Sequence, residues 1–390
     1  MNVPANPRPF IAIACGGTGG HLFPGLAVAE RLRQSGCEVA LLISPKEVDQ
    51  QAVKAAAGLE VFTLPAVGLQ NRNYFSFARS FWRSYQAARA IFKSRRPAAV
   101  LAMGGFTSAP PVLAARRSGA KTFLHDSNTI PGKANRFLAG RVDEAFIGFP
   151  EAAARLRAKK VSVTGTPVRP QFQPRAAAAC RVALGLDPER PTVLVVGGSQ
   201  GARGLNELVL TVLPMLVEKN WQWLHLTGTN DFEKVKAFYA AQEIRAVVRP
   251  FLAEMELALG AATAGVSRAG ASSLAELAAM RLPAALVPLP TAADNHQWSN
   301  ALAFEKTGAA LLLDQTDSPP AKVAAALTTL VGDEAVRSRM QAALAQWHAP
   351  AAAEVIATNI LNALGQGAGL PIRSGSPPAA GGEIKLRAVT

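Results

Sequence analysis

Short apolar runs alternate with amphipathic stretches along almost the whole chain, and the pattern is run through twice. Runs near 10–15, 38–44, 60–65, 98–103, 121–125, 143–147 and 160–164 read as strands, with helices between them, for example at 24–35, 78–94 and 108–118. A second set follows, with strands near 192–197, 221–226, 246–249, 264–267, 284–288 and 309–313 and helices near 203–217, 230–242, 271–280 and 296–306. Strand–helix alternation predicts parallel sheets with helices on both faces. The fold class is therefore α/β, as two doubly wound domains facing a central cleft. A length of 390 residues suits two domains. The break falls at 165–190, where GTPVRPQFQP (165–174) is rich in proline and a helix at 176–184 leads into a new strand.

Each half opens with a strand feeding a Gly-rich turn, and ligands of such sheets bind outside the carboxyl ends of the strands. The first turn is GGTGGHLFPG (16–25). Backbone N–H groups at the mouth of the following helix attract anions. The spacing is neither G-x-G-x-x-G, since Leu22 stands where the third glycine belongs, nor G-x-x-x-x-G-K-[ST]. Dehydrogenase and P-loop readings both weaken. His21 sits at the helix mouth, where it can act as a general base near neutral pH, or serve only as a cap. The second turn, GGSQGARGLN (197–206), has the same context, and Ser199 with the N–H groups after it suits a diphosphate. Two such cradles suggest a donor on one side and an acceptor on the other.

Three further stretches carry polar groups at strand ends. Arg169, after Thr166-Pro167-Val168, could neutralise a leaving phosphate, although a lone arginine is by default a surface residue. SRAGASSLAE (267–276) places Glu276 about one turn into a helix, fit to take both hydroxyls of a ribose or merely to favour the helix N-terminus. TAADNHQWSNA (291–301) suits sugar hydroxyls, with Asp294 alternatively a helix cap.

Charge adds a partner class. Lys and Arg number 41 against 27 Asp and Glu, a net charge of +14, which favours an anionic partner. The surplus is sharpest at 72–96, where Arg72, Arg79, Arg83, Arg89, Lys93, Arg95 and Arg96 interleave with Tyr74, Phe75, Phe77, Phe81, Trp82, Tyr85 and Phe92, without an acid. A basic, aromatic amphipathic helix reads as a membrane-surface element. Nucleic-acid binding is the rival reading, and core aromatics under a solvated charged face the bland one. No run of about 18 apolar residues is present to span a bilayer. Phe10–Cys15 is too short, and lacks a basic segment before it, for a leader, so it reads as a first buried strand. Three separated cysteines, Cys15, Cys37 and Cys180, argue against a disulfide framework and fit a reducing compartment. No D-x-D, H-E-x-x-H or Cys/His cluster occurs, so no protein-bound metal and no cofactor is expected. An apolar content of 49% excludes wholesale disorder, except in the Gly-, Pro-, Ser- and Ala-rich tail from 365 to 390.

Taken together, GGTGGHLFPGLAVAE (16–30), MGGFTSAP (103–110), HDSN (125–128), TGTPVR (164–169), GGSQGARGLN (197–206), SRAGASSLAEL (267–277) and DNHQWSNA (294–301) closely resemble the MurG family, in its order and spacing over residues 9–365. The resemblance implies a GT-B fold of two Rossmann-like domains: 1–168 for the acceptor and the membrane, joined by the last helix 349–364, and 169–348 for UDP-GlcNAc. It implies an inverting transfer of GlcNAc to the C4 hydroxyl of MurNAc in undecaprenyl-diphosphate-MurNAc-pentapeptide (lipid I), giving the β-1,4 linkage of lipid II. By the same resemblance His21 is the candidate base, and Thr18, Gly19 and Gly20 meet the donor sugar. Asn128 touches that sugar, and Arg169 and Ser199 contact the diphosphate. Leu252 lies beside the uracil. Ala271, Ser272, Ser273, Leu274, Ala275 and Glu276 cradle UDP, with Glu276 on the ribose, and His296 and Gln297 hold GlcNAc hydroxyls. The family's acceptor stays in the bilayer, which implies a peripheral enzyme at the cytoplasmic face of the inner membrane. Tyr74, Phe75, Arg79, Trp82, Arg83 and Lys93 would meet anionic lipid there. Cell-wall synthesis or division proteins are conceivable further partners; nucleic acid is not expected, since paired Gly-rich turns serve no purpose in binding it. The family often has H-E-Q-N where this chain has His125-Asp126-Ser127-Asn128, and Asn-Pro-Val-Arg where it has Thr166-Pro167-Val168-Arg169. The alternative within the fold is another GT-B enzyme using UDP-GlcNAc, a glycolipid transferase or a 2-epimerase.

Overall fold

Strand β1 (Phe10–Ala14) is buried along its whole length. Its alternate side chains enter two cores: Phe10, Ala12 and Ala14 join one cluster, and Ile11 and Ile13 the other. A strand buried on both faces belongs inside a parallel sheet covered by helices. The computed structural model of the chain has this arrangement twice, and describes residues 8–46, 49–50, 58–66, 74–198, 201–366 and 385–388. The chain divides into two compact units, Met1–Arg169 with Pro350–Thr390, and Pro170–Ala349.

In the first unit, β1 is followed by α1 (Gly19–Gln34), β2 (Glu38–Ile43), β3 (Glu60–Thr63), α2 (Tyr74–Ser94), β4 (Ala99–Ala102), α3 (Ala109–Arg117), β5 (Lys121–Asp126), α4 (Lys133–Ala139), β6 (Glu144–Ile147) and β7 (Val161–Val163). The strands lie in the order β3-β2-β1-β4-β5-β6-β7, all parallel. Order reverses between β1 and β4, so the loops after these two strands meet at the switch point, where ligands of doubly wound sheets bind.

The second unit repeats the plan with β8 (Thr192–Val196), α5 (Arg203–Val212), β9 (Gln222–Leu226), α6 (Phe232–Ala241), β10 (Ala246–Arg249), β11 (Ala264–Ser267), α7 (Ala271–Met280), β12 (Ala284–Leu286), α8 (His296–Lys306) and β13 (Leu311–Leu312). Its order is β10-β9-β8-β11-β12-β13, with the reversal between β8 and β11. The chain then returns to the first unit. Helix α9 (Ala352–Ala363) sets Ala353, Ile356, Ala357, Ile360 and Leu361 against Ile11, Ile13 and Leu22, at helical spacing.

Several boundaries differ from the sequence expectation; α2, for example, starts at Tyr74 rather than at 78. Helix α1 starts at Gly19 rather than at Pro24. Proline normally marks a first turn, and the Gly-rich turn ahead of it has no apolar period to announce it. Helix α5 stops at Val212, and Leu213–Met215 tightens into a 3-10 turn because Pro214 cannot continue an α-helix. Lys385–Ala388, in the tail expected to be unstructured, forms β14 in parallel register with β3, Lys385 opposite Glu60 and Ala388 opposite Thr63. Without it β3 would be an edge strand, and an open edge offers unpaired N–H and C=O groups to any extended segment. Cys15, Cys37 and Cys180 are free and buried.

Candidate active site

The first Gly-rich turn lies at the switch point of the first sheet. Gly17 has φ +113°, a conformation that side chains with a Cβ rarely adopt. Thr18 follows in an extended conformation as N-cap of α1, and its carbonyl accepts from the His21 and Leu22 N–H groups. Thr18 Oγ1 lies 3.1 Å from His21 Nδ1. The loop after β4 forms the other wall: a Cβ added at Gly104 would stand 2.9 Å from His21 Nε2. Half-buried His21 is thereby held between the two loops that the sequence placed far apart.

Beside it, His125 is fully buried at the end of β5. Its Nε2 lies 3.1 Å from the Gly165 carbonyl, which can only accept, so Nε2 carries the proton. Burial pushes the His125 pKa down, the bond to Gly165 and the Asp126 charge oppose this, and His21 lowers it further. His125 is thus a neutral neighbour of His21. Asp126 is buried as well. Its Oδ1 accepts from the Asn128 N–H at 2.9 Å, and its Oδ2 accepts from the Gly132 N–H at 2.8 Å and Asn135 Nδ2 at 2.9 Å. The carboxylate therefore shapes the loop that presents Asn128 and has no oxygen left over. The Arg169 guanidinium lies over the Phe23 ring, 4.7 Å from its centroid, on the first turns of α1.

In the second unit, the turn after β8 is pinned from behind. Gly201 has φ +76°, and a Cβ there would stand 2.3 Å from the Thr227 carbonyl. Asn206 Nδ2 donates to that carbonyl at 2.9 Å and to Asp231 Oδ2 at 2.7 Å. Its Oδ1 consequently faces His225 Nε2, 3.0 Å away, which must carry the proton, while the Tyr239 hydroxyl serves Nδ1 at 3.2 Å. Ser199 and Gln200 lie outside the described residues.

Burial lowers the His225 pKa from 6.5 to about 3. Its folded pKa lies below its unfolded one, so the stability it confers is complete above pH 6.5 and is lost as pH falls towards 3. One proton taken up on unfolding changes stability by about 1.4 kcal/mol per pH unit. The second unit is therefore expected to lose about 2 kcal/mol between pH 6.5 and 4.5 through this group. Urea midpoints at the two pH values, in the parent and in His225→Gln, check this: the variant should show the flatter profile.

Around β11, the strand ends are drawn together by Arg268. Its Nη1 donates to the Val287 and Pro288 carbonyls at 2.9 and 3.1 Å, and its Nη2 to Gln315 Oε1 at 2.6 Å. Burial lowers its pKa to about 10, so it remains a cation at neutral pH. Gly270 caps α7, whose first residues Ala271, Ser272 and Ser273 present the helix N-terminus. Glu276, five residues further along, is half-buried. Gln297 Oε1 accepts from the Leu289 N–H at 3.0 Å, and His296 Nδ1 donates to the Ala293 carbonyl at 2.7 Å. A cavity of ≈ 260 Å³ opens beside them, lined by Leu289, Asn295, Trp298, Asp314 and Gln315. Leu252 follows β10, half-buried, next to exposed Phe251.

Thr18, Gly19, Gly20, His21, Asn128 and Arg169 thus belong to the first unit, and Leu252, Ala271 to Glu276, His296 and Gln297 to the second. Sequence reasoning missed the residues behind the loops: Asn135, Asn206, His225, Arg268 and Gln315. A histidine inside an apolar strand, as in QWLHL (222–226), was the one available signal. Among the described residues, no three or more His, Cys, Asp or Glu side chains come together as metal ligands would.

Helix α2 divides the aromatics of the basic segment. Tyr85, Ile91 and Phe92 are buried in the core, whereas Tyr74, Phe75 and Trp82 are 66%, 82% and 57% exposed on the outer face. Arg79, Arg83, Arg89 and Lys93 are exposed with them. Arg72 lies outside the described residues. Among the described residues no helix is long and apolar enough to cross a membrane.

Comparison with known proteins agrees with this geometry. Residues 11–147 match the glycosyltransferase family 28 N-terminal domain, and residues 192–356 its C-terminal domain. The UDP-N-acetylglucosamine–N-acetylmuramyl-(pentapeptide) pyrophosphoryl-undecaprenol N-acetylglucosamine transferase of Verminephrobacter eiseniae is 38% identical over 326 residues, covering 82% of this chain and 89% of that one. Its Listeria monocytogenes counterpart is 32% identical over 358 residues, covering 90% and 99%. The crystal structure of Acinetobacter baumannii MurG superposes with a TM-score of 0.71 at 27% identity, over 91% of this chain and all of that one. A UDP-N-acetylglucosamine 2-epimerase, at TM-score 0.67 and 13% identity, shares the fold. Two doubly wound parallel sheets, each with a Gly-rich turn at its switch point, together with these matches define a GT-B glycosyltransferase. Within that class, the chain belongs to the MurG family.

Proposed function

We propose that this chain transfers GlcNAc from UDP-GlcNAc to the C4 hydroxyl of MurNAc in lipid I, with His21 as general base. The hydroxyl oxygen attacks C1 of GlcNAc from the face opposite UDP and gives its proton to His21. The bond from C1 to the β-phosphate oxygen breaks, its electron pair leaves with UDP, and a β-1,4 linkage forms. The observation that carries this reading is the Thr18–His21 pair at the first switch point. If the Thr18 hydroxyl accepts from Nδ1–H, the Nε2 lone pair takes the incoming proton.

The remaining roles follow from where charge develops. UDP gains negative charge as it leaves, and Arg169, Ser199 and the N–H groups opening α5 and α7 stabilise it. Glu276 accepts the ribose hydroxyls and Leu252 lies beside the uracil. Gln297, His296 and Asn128 hold sugar hydroxyls, while Thr18, Gly19 and Gly20 line the donor sugar. Buried Arg268 supports the donor site from beneath, because its cation ties the Val287 and Pro288 carbonyls after β12 to the Gln315 side chain after β13. Transfer of labelled GlcNAc from UDP-GlcNAc to a lipid I analogue tests the reading. Labelled disaccharide-lipid is the expected product. Turnover of UDP-GlcNAc without an acceptor would replace the transferase by an epimerase.

The acceptor's undecaprenyl chain stays in the bilayer, so the enzyme works at the cytoplasmic membrane surface. The outer face of α2 supplies the contact: Tyr74, Phe75 and Trp82 enter the interface, and Arg79, Arg83 and Lys93 meet anionic headgroups. Each such cation contributes about 1 kcal/mol near an anionic surface. Replacing Arg79, Arg83 and Lys93 by glutamine is expected to weaken binding to anionic vesicles about 100-fold, with little change on neutral ones. Unchanged co-sedimentation of this variant would remove α2 as the contact.

A further inference from the structure

The peptide unit joining Gly16 to Gly17 is gripped from both sides. Its carbonyl, Gly16 O, accepts from Thr107 Oγ1 at 2.7 Å. Its N–H, on Gly17, donates to Asp49 Oδ2 at 2.7 Å. Thr107 and Asp49 are both fully buried. Thr107 follows β4 and Asp49 follows β2, the two strands that flank β1. The carbonyl and N–H of a trans peptide point in opposite directions, so one side chain from each neighbouring loop reaches one end of the same plane.

Asp49 is itself fixed. The same Oδ2 accepts from the Ser44 N–H at 3.1 Å and the Ser44 hydroxyl at 2.5 Å, and the Asp49 N–H donates to the Lys46 carbonyl at 3.0 Å. Lys46 Nζ lies 3.3 Å from the next carbonyl along, Gly17 O. A flip of the Gly16–Gly17 peptide would turn its carbonyl onto a buried carboxylate, which the low local dielectric makes costly. Thr18 and the first turn of α1, which carries His21, follow directly from this peptide.

We propose that Asp49 and Thr107 form a two-sided clamp on the Gly16–Gly17 peptide and act as positioning residues for Thr18 and His21. The inference rests on the reading of His21 as the base. Neither residue touches substrate. They act by holding the loop in one orientation, and a shift of about 1 Å at such a place can cost up to about 100-fold in rate.

Steady-state kinetics on Thr107→Val, Thr107→Ser, Asp49→Ala, Asp49→Asn, Thr107→Val/Asp49→Ala and His21→Ala tests the clamp. Thr107→Val keeps the shape and removes the hydroxyl. It should lower kcat about tenfold and leave KM for UDP-GlcNAc within about twofold, whereas Thr107→Ser should restore kcat. Asp49→Ala should behave like Thr107→Val, and Asp49→Asn, whose amide oxygen can replace Oδ2, should keep kcat within about threefold. Both changes release one peptide, so the double variant should be no slower than about threefold below the worse single one. If Asp49→Ala does not fold, the Thr107→Val and Thr107→Ser pair decides. Unchanged kcat in Thr107→Val, with His21→Ala inactive, overturns the clamp alone. Multiplicative losses in the double variant also overturn it. Full activity in His21→Ala overturns the base assignment instead.

Discussion

His21→Ala is expected to lower the turnover of GlcNAc transfer by about 10²- to 10⁴-fold, the usual worth of general base catalysis. That is about 3–5 kcal/mol of barrier. Binding of UDP should be largely unchanged, because the residues assigned to UDP other than Arg169 belong to the second unit and His21 to the first. The alanine removes the contact with the Thr18 hydroxyl, on an exposed residue that can turn to water. Thermal stability should therefore stay close to the parent's. Kinetics at saturating UDP-GlcNAc, with UDP binding followed by thermal shift, separates the effects. An unchanged kcat would remove His21 from the chemistry.

Asp126→Ala is expected to act through structure rather than through proton transfer. The residue is 3% exposed and accepts from the Asn128 and Gly132 N–H groups and from Asn135 Nδ2. Removing it takes a partner from buried Asn135 and half-buried Asn128, at about 1–3 kcal/mol each, while the exposed Gly132 N–H can turn to water. A total of about 4 kcal/mol would lower the first thermal transition by roughly 10 °C for a unit of this size. Asn128 would lose its anchor, and KM for UDP-GlcNAc should rise. Asp126→Asn distinguishes this role from acid–base chemistry. Both oxygens serve as acceptors, and an amide offers only one, so Asp126→Asn should lose about half as much stability as the alanine variant. A fully stable Asp126→Asn with turnover abolished would instead give Asp126 a direct part in proton transfer. The Asp126 side chain is wholly engaged in shaping its own loop.

The fold was legible because its main determinants are local and periodic. Apolar runs of strand length, such as FIAIA (10–14) and TVLVV (192–196), sit between amphipathic helices, and this alternation forces parallel sheets. The Gly-rich turns were legible for a related reason, since only glycine meets the backbone demands at Gly17 and Gly201. Helix starts were less so: the first turn of α1 carries GGHLF, which has no apolar period of its own.

The sequence by itself determined which residues could carry the chemistry: His21, Asn128, Arg169 and Glu276 stand out by type and by place after a strand. Only the tertiary structure decided what holds them. Asp49 and Thr107 are 58 positions apart in the chain and meet one peptide because β1 lies between β2 and β4. Asn206 and His225 pair behind the second turn because β8 and β9 are neighbours. Aromatic residues of α2 divide between core and surface according to the side of the helix that α3 covers. Periodicity along a chain records which face of an element is buried. It does not record which polar side chains from separate loops converge on one buried hydrogen-bonding group, since that depends on strand order, and strand order is a property of the folded sheet.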